Sequence, residues 1–235
     1  MVKQTLKNSL KTYFYNPAII FLFIVFYIVL YLFSFVKMPQ SVNAITDYIY
    51  LIAPQLFALL ITSLFFSIFI KASYLALKNK FSFKESLKAS KFFLGNFFYL
   101  LIFVIINLGL LLLTNYSGNI LIKVFSQQTT AIAQTIIYSL FFLLISIFFI
   151  FQFFYFTTSK SRFFKSIKNS IILGKRNFIK IIMIPIIYLA ITFILNLIPF
   201  SAIQFKDAIY YIIVYPIFTI ILTSLFIRLT EDKKK

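Results

Sequence analysis

Apolar residues along the chain fall into six blocks free of charge. They lie between Lys11 and Lys37 (25 residues), Asp47 and Lys71 (23), Lys91 and Lys123 (31), Lys123 and Lys160 (36), Lys180 and Lys206 (25), and Asp207 and Arg228 (20). A helix crossing the hydrocarbon core of a bilayer needs about 20 such residues. The two longest blocks have polar ends, such as Ser126 to Thr130, so each is expected to hold a single span. The pattern predicts an all-α fold, an integral membrane bundle of six transmembrane helices forming one domain over residues 1–235. Composition agrees: 62% of residues are hydrophobic and 12% charged, against roughly half and a quarter in soluble domains. Part of the wealth of Phe, Ile, Lys, Asn and Tyr is the bias expected of an AT-rich genome.

Charge orients the bundle. With the N-terminus inside, 20 of the 23 Lys and Arg residues fall in segments facing the cytoplasm, and only Lys37, Lys123 and Lys206 fall outside. Short loops obey the positive-inside rule, so a multi-pass cell-membrane protein with both termini cytoplasmic is expected. The tripeptide Val42-Asn43-Ala44 loosely resembles a signal-peptidase site. The apolar run before it is too long for a signal h-region, and an uncleaved first span is expected. The net charge of +18 is distributed as an inner-leaflet girdle. Anionic lipid headgroups are therefore the expected partner, and nucleic acid is not.

Three basic segments resemble one another: Thr5-Leu6-Lys7-Asn8-Ser9, Ser86-Leu87-Lys88-Ala89-Ser90 and Ser166-Ile167-Lys168-Asn169-Ser170, offset by 81 and 80 residues. An Asn follows each, at Asn16, Asn96 and Asn177, before an apolar span, and Thr62-Ser63-Leu64-Phe65 recurs as Thr223-Ser224-Leu225-Phe226. Constant spacing implies a repeated supersecondary unit. The expected unit is an interfacial helix plus a transmembrane hairpin, used three times over about 1–77, 78–158 and 159–230, with a basic tail at 231–235.

Helical periodicity gives each basic segment two faces. In the second, Ser82 and Glu85 form a capping box, Phe83, Leu87 and Leu94 share a face, and Lys84, Lys88 and Lys91 form the adjacent stripe. In the third, Phe164, Ile167 and Ile171 lie beside Lys165, Lys168 and Lys175; in the first, Leu6, Leu10 and Tyr13 lie beside Lys3, Lys7 and Lys11. Such helices lie flat in the headgroup region. The nine lysines are the candidate lipid contacts, and ordinary solvated loops are the alternative. Pro17 is expected to end the first helix and restart the chain as a span. Gly95 and Gly174 are expected near the ends of the other two as left-handed caps.

Chemistry is scarce. The chain has no His and no Cys, and its five acids (Asp47, Glu85, Asp207, Glu231, Asp232) lie outside the blocks. Transporters and intramembrane enzymes usually keep ionisable groups at membrane depth, and no nucleotide-binding, hydrolase or zinc-protease motif occurs. No catalytic residue, metal or cofactor is expected. The intramembrane polar candidates are Gln55, Asn107, Gln134 and Asn196, accompanied by Thr62, Ser63, Ser67, Ser139, Thr219, Thr223 and Ser224. They either line a substrate path or join helices by hydrogen bonds. Pro54, Pro185 and Pro216 are expected to kink spans two, five and six.

The recurring basic helix, hairpin and Ser-Leu-Lys-Asn-Ser-like motif around Leu6, Leu87 and Ile167 resembles a group of prokaryotic membrane proteins related to the membrane domain that precedes some glycerophosphoryl diester phosphodiesterases. The resemblance covers nearly the whole chain and implies a fold and a membrane location without catalysis, since the phosphodiesterase's His and acidic residues have no counterpart. The expected function is a non-enzymatic scaffold or accessory subunit whose basic helices contact anionic lipid or a membrane protein partner. The alternative is a transporter or permease subunit for a neutral or lipophilic solute. Because the chain lacks cysteine, its orientation is directly testable. A cysteine placed at Ser41 should react with a membrane-impermeant maleimide on intact cells, and one at Ser82 only after permeabilisation.

Overall fold

A computed structural model describes residues 2–33, 45–121, 126–159, 162–197 and 208–231. Lys37, Lys123, Lys160, Lys206, the Val42–Ala44 tripeptide and the basic tail lie outside them. The described residues contain no strand. They form α1 (Val2–Tyr15), α2 (Pro17–Phe33), α3 (Ile45–Leu77) and α4 (Phe83–Leu87). A 3₁₀ turn (Lys88–Phe92) leads to α5 (Phe93–Leu121), α6 (Gln127–Phe149), α7 (Gln152–Ser159), α8 (Phe163–Arg176) and α9 (Phe178–Leu197). A π turn (Tyr210–Val214) runs into α10 (Tyr215–Glu231).

Four stretches are long and apolar enough to cross a membrane: Ala53–Leu77, Phe83–Ser117, Ile132–Ser159 and Tyr210–Glu231. A fifth is reached if α1 and α2 count as one broken span, but they are bent by 80°. Of the six expected crossings, the fifth (α9) contributes the shorter apolar stretch Phe178–Ile187.

The bend falls at Asn16, whose Nδ2 donates to the Thr12 carbonyl four residues back at 2.8 Å. Pro17 follows as the first residue of α2, where its missing N–H costs nothing. Asn177, the counterpart between α8 and α9, does the same to Leu173 O at 3.3 Å. The middle unit departs from this pattern. Its basic segment runs through the 3₁₀ turn into α5 without an unwound residue, and Asn96 sits inside α5. The start of α4 is as expected, since Ser82 Oγ accepts from Glu85 N. The Glu85 side chain, however, pairs with Lys88 instead of returning to the cap.

The expected glycine caps are overturned: neither Gly95 nor Gly174 has a positive φ. Both lie within helices at close approaches. A Cβ on Gly95 would come within 2.2 Å of Phe156 Cε1, and one on Gly174 would stand 3.2 Å from the Ile147 carbonyl. The left-handed residue among those described is Asn79, at φ 54°, closing α3.

Each basic segment packs on a long apolar helix or its continuation. The segment around α4 packs on α3, α8 packs on α6 and α7, and α1 packs on α10. Two of these seams are locked by a hydroxyl donating to a carbonyl at a helix irregularity. The helix α6 stops at Phe149, and Ser170 Oγ of α8 donates to Phe148 O, in its last turn, at 2.6 Å. Pro216 has no N–H, so Ile212 O lacks its usual donor four residues on; Tyr13 Oη of α1 donates to it at 2.9 Å. The π turn at 210–214 absorbs the same defect, so Pro216 widens the helix where a simple kink was expected.

Two aromatic-rich cores complete the bundle. One gathers α2 against α3 around Ile19, Phe23, Phe26 and Phe69. The other joins α5, α7, α8 and α10 around Tyr99, Phe154, Leu173 and Leu225. Removing the Tyr13 hydroxyl strands a backbone acceptor, at a cost of about 1–3 kcal/mol. Tyr13→Phe should therefore lower the unfolding midpoint in a detergent–denaturant titration. Gly95→Ala should do so more strongly, with partial recovery when Phe156→Leu makes room.

Candidate functional site

The three basic helices share an arrangement that begins on their buried faces. Thr5 and Ser9 in α1, Ser86 and Ala89 in the second segment, and Ser166 and Ser170 in α8 are all buried. Small side chains let helix axes approach closely. Ser86 Oγ bonds back to Ser82 O and Ser166 Oγ to Arg162 O within their own helices, while Ser9 Oγ is buried without a partner. The seat of each helix is thus built from small, mostly hydroxylated residues.

The opposite faces carry lysine and bulky apolar groups together. Lys7, Lys11, Lys84, Lys88, Lys91, Lys165, Lys168 and Lys175 are all exposed; the side chain of Lys3 lies outside the described set. Among them stand Phe14, Leu10, Phe83, Leu87 and Leu94, all exposed, and Phe164, which is 80% exposed in the midst of the α8 lysines. Ile167 and Leu6, expected on the apolar outer faces, instead pack partly against the core. An exposed phenylalanine beside ammonium groups is costly in water and suited to a headgroup–acyl boundary.

The bundle end that carries these helices is also where the return helices α3, α7 and α10 terminate together. They enclose a cavity of about 220 Å³ lined by Tyr74, Lys78, Tyr155, Ser159, Thr230 and Glu231, among others. Lys78 Nζ lies 3.1 Å from Glu231 Oε1 and 4.9 Å from the centre of the Tyr74 ring. Tyr74 chiefly, and Glu231 after a smaller opposing effect of burial, hold the Lys78 ammonium above its ordinary range. A raised lysine contributes stability throughout neutral pH and loses it only as pH climbs through the raised value. Both partners are substantially exposed, so the pair is worth less than about 1 kcal/mol. It joins the ends of α3 and α10. Among the described residues no cluster of acids could hold a metal.

A second polar centre lies inside the bundle. Asn96, fully buried, donates from Nδ2 to Ser67 Oγ at 2.6 Å and to Thr157 Oγ1 at 3.2 Å. It thereby joins α5 to α3 and α7, while its Oδ1 has no partner. Among the described side chains, the intramembrane candidates do not assemble. Gln55 is exposed, Asn107 Nδ2 donates to Phe103 O of its own helix at 2.6 Å, and Gln134 Nε2 donates across to Thr114 O at 2.9 Å. Asn196 lies in α9 with its side chain outside the described set. Ser63, Ser67, Thr219 and Thr223 bond back to carbonyls of their own helices. Sequence reasoning noted Asn96 only as a repeat marker. It missed Tyr13 and Ser170 as tethers, although the Pro216 defect was a signal that some donor had to arrive from elsewhere.

No protein-family model, curated protein or solved structure matches the chain. The geometry of the helices and their faces therefore carries the functional argument. Interhelical side-chain bonds in membranes are worth about 0.6 kcal/mol on average. Asn96→Ala should accordingly destabilise the bundle by roughly 1–2 kcal/mol, readable as faster unfolding in sodium dodecyl sulfate.

Proposed function

We propose that the protein is a six-span, non-catalytic membrane protein, a scaffold or accessory subunit whose three basic helices hold anionic lipid at the cytoplasmic leaflet. Six crossings, three equivalent units and an inside location of both ends are part of that reading. The single observation that carries it is the two-faced construction of the basic helices. Small buried residues seat them on the bundle, while lysines and large apolar groups share the outward side. Lysines near an anionic leaflet each contribute roughly 1 kcal/mol, and the exposed Phe14, Leu87, Leu94 and Phe164 add apolar burial at the acyl boundary.

The cyclic seating supports the repeat as well. Each basic helix rests on the return helix before it, and the first rests on the last, which is the arrangement expected of three like units closed into a ring. The resemblance to phosphodiesterase-associated membrane domains belongs to the same proposal and rests on the repeat motifs. A solute path gains little support, since Gln55, Asn107 and Gln134 do not converge on one cavity.

Spin-labelled lipids test the reading. In reconstituted membranes, labelled phosphatidylglycerol should be immobilised by the protein in preference to labelled phosphatidylcholine. Lys84→Glu, Lys88→Glu and Lys91→Glu together should cut that preference by roughly fivefold at low ionic strength and far less in high salt, where screening removes it. Equal immobilisation of both lipids by the unaltered protein would refute the proposal.

A further inference from the structure

The 80° elbow between α1 and α2 opens a wedge that the end of α3 closes. The resulting cleft measures about 340 Å³ and is lined by Asn8, Lys11, Thr12, Tyr15, Asn16 and Asn79, with Ala76 and Leu77 behind them. That volume lies within the range of small-molecule sites, roughly 300–1,000 Å³. Asn16 is spent on Thr12 O, but three other polar side chains of the cleft are not. Asn8, Thr12 and Asn79 make no side-chain hydrogen bond to any described residue, whereas comparable groups elsewhere at this end fold back on their own helices. Asn177 bonds to Leu173 O, Thr158 to Phe154 O and Thr230 to Phe226 O.

The charge pattern selects the ligand. Lys11 supplies one cation, held 5.6 Å over the Tyr15 ring, and no carboxylate lines the cleft. Two carbonyls at the end of α3 already accept, Ala76 O from Asn79 N at 3.0 Å and Leu75 O from Lys80 N at 2.9 Å. One ammonium, several amide and hydroxyl donors and no anion are unsuited to a metal ion and match a singly charged phosphodiester with hydroxyls on its head alcohol. The cleft is made by the last turn of the apolar stretch Ala53–Leu77 and the residues just beyond it, which is the depth of lipid phosphates.

We infer that this cleft is a specific site for the phosphodiester headgroup of one hydroxyl-bearing anionic phospholipid, distinct from the diffuse basic girdle. The inference rests on the lipid-contact reading above, and its test is chosen to separate the two. Native mass spectrometry of the purified protein, delipidated and titrated with phosphatidylglycerol, should show one tightly held lipid. Asn8→Ala combined with Asn79→Gly, which removes both amides while keeping a residue suited to the positive φ at position 79, should lower that occupancy roughly tenfold. Both positions are exposed, and an unchanged unfolding midpoint will verify that the fold survives. The spin-label preference for anionic lipid should stay within twofold of the parent. Undiminished occupancy in the variant would overturn the cleft assignment while leaving the girdle intact. Displacement of the bound lipid by excess inorganic phosphate would also overturn it, making the ligand the free anion. Loss of bulk lipid preference in the unaltered protein would instead count against the girdle alone.

Discussion

Inside a bilayer no water is present to satisfy a stray carbonyl, so each irregularity in a spanning helix needs a protein donor. Two irregularities stand out in this bundle, the end of α6 at Phe149 and the π turn before Pro216. Both are met by hydroxyls from the basic helices, Ser170 on Phe148 O and Tyr13 on Ile212 O. Segments that by composition belong at the membrane surface are thereby fastened to the interior. The two ties join α8 to α6 and α1 to α10, and so draw distant parts of the chain together.

That fastening explains the division of each basic helix into two unlike faces. Close approach to a neighbouring helix calls for small residues, and in α8 Ser166, Ser170 and Gly174 provide them along one buried stripe. Some large apolar residues share the lysine side, as Phe164 does in α8 and Phe14 in α1, while Leu173 and Tyr13 turn inward. An amphipathic helix of a soluble protein places its bulky groups against the core. On the proposed lipid-contact reading, the outward bulky groups face a medium that is itself apolar a few ångströms below the lysines.

Much of this was legible in the chain. Charge-free runs located α2, α3, α5, α6, α9 and α10, and helical periodicity located the exposed lysines and the Ser82 cap. The roles of glycine and asparagine were not. Gly95 and Gly174 read as caps because they sit near segment boundaries; their actual constraint comes from Phe156 and Ile147, which no local rule can see. Asn16, Asn96 and Asn177 look equivalent, yet two bond back to their own helices while Asn96 bridges to residues 29 and 61 positions away. The difference follows from the middle unit passing into α5 without a bend, which turns its asparagine into the bundle. The elbow cleft was equally invisible, because it needs Asn79 brought up to Asn8 and Thr12.

The tie between Tyr13 and Ile212 spans 199 positions, and this has a consequence for how the protein is made. A ribosome feeding the chain into a membrane releases α1 long before its acceptor carbonyl exists. The first helix must wait, its hydroxyl on water or lipid, until α10 has been made. Docking of α1 is therefore a late act of biogenesis, and a chain halted before its last helix would leave its opening segment undocked and open to proteolysis.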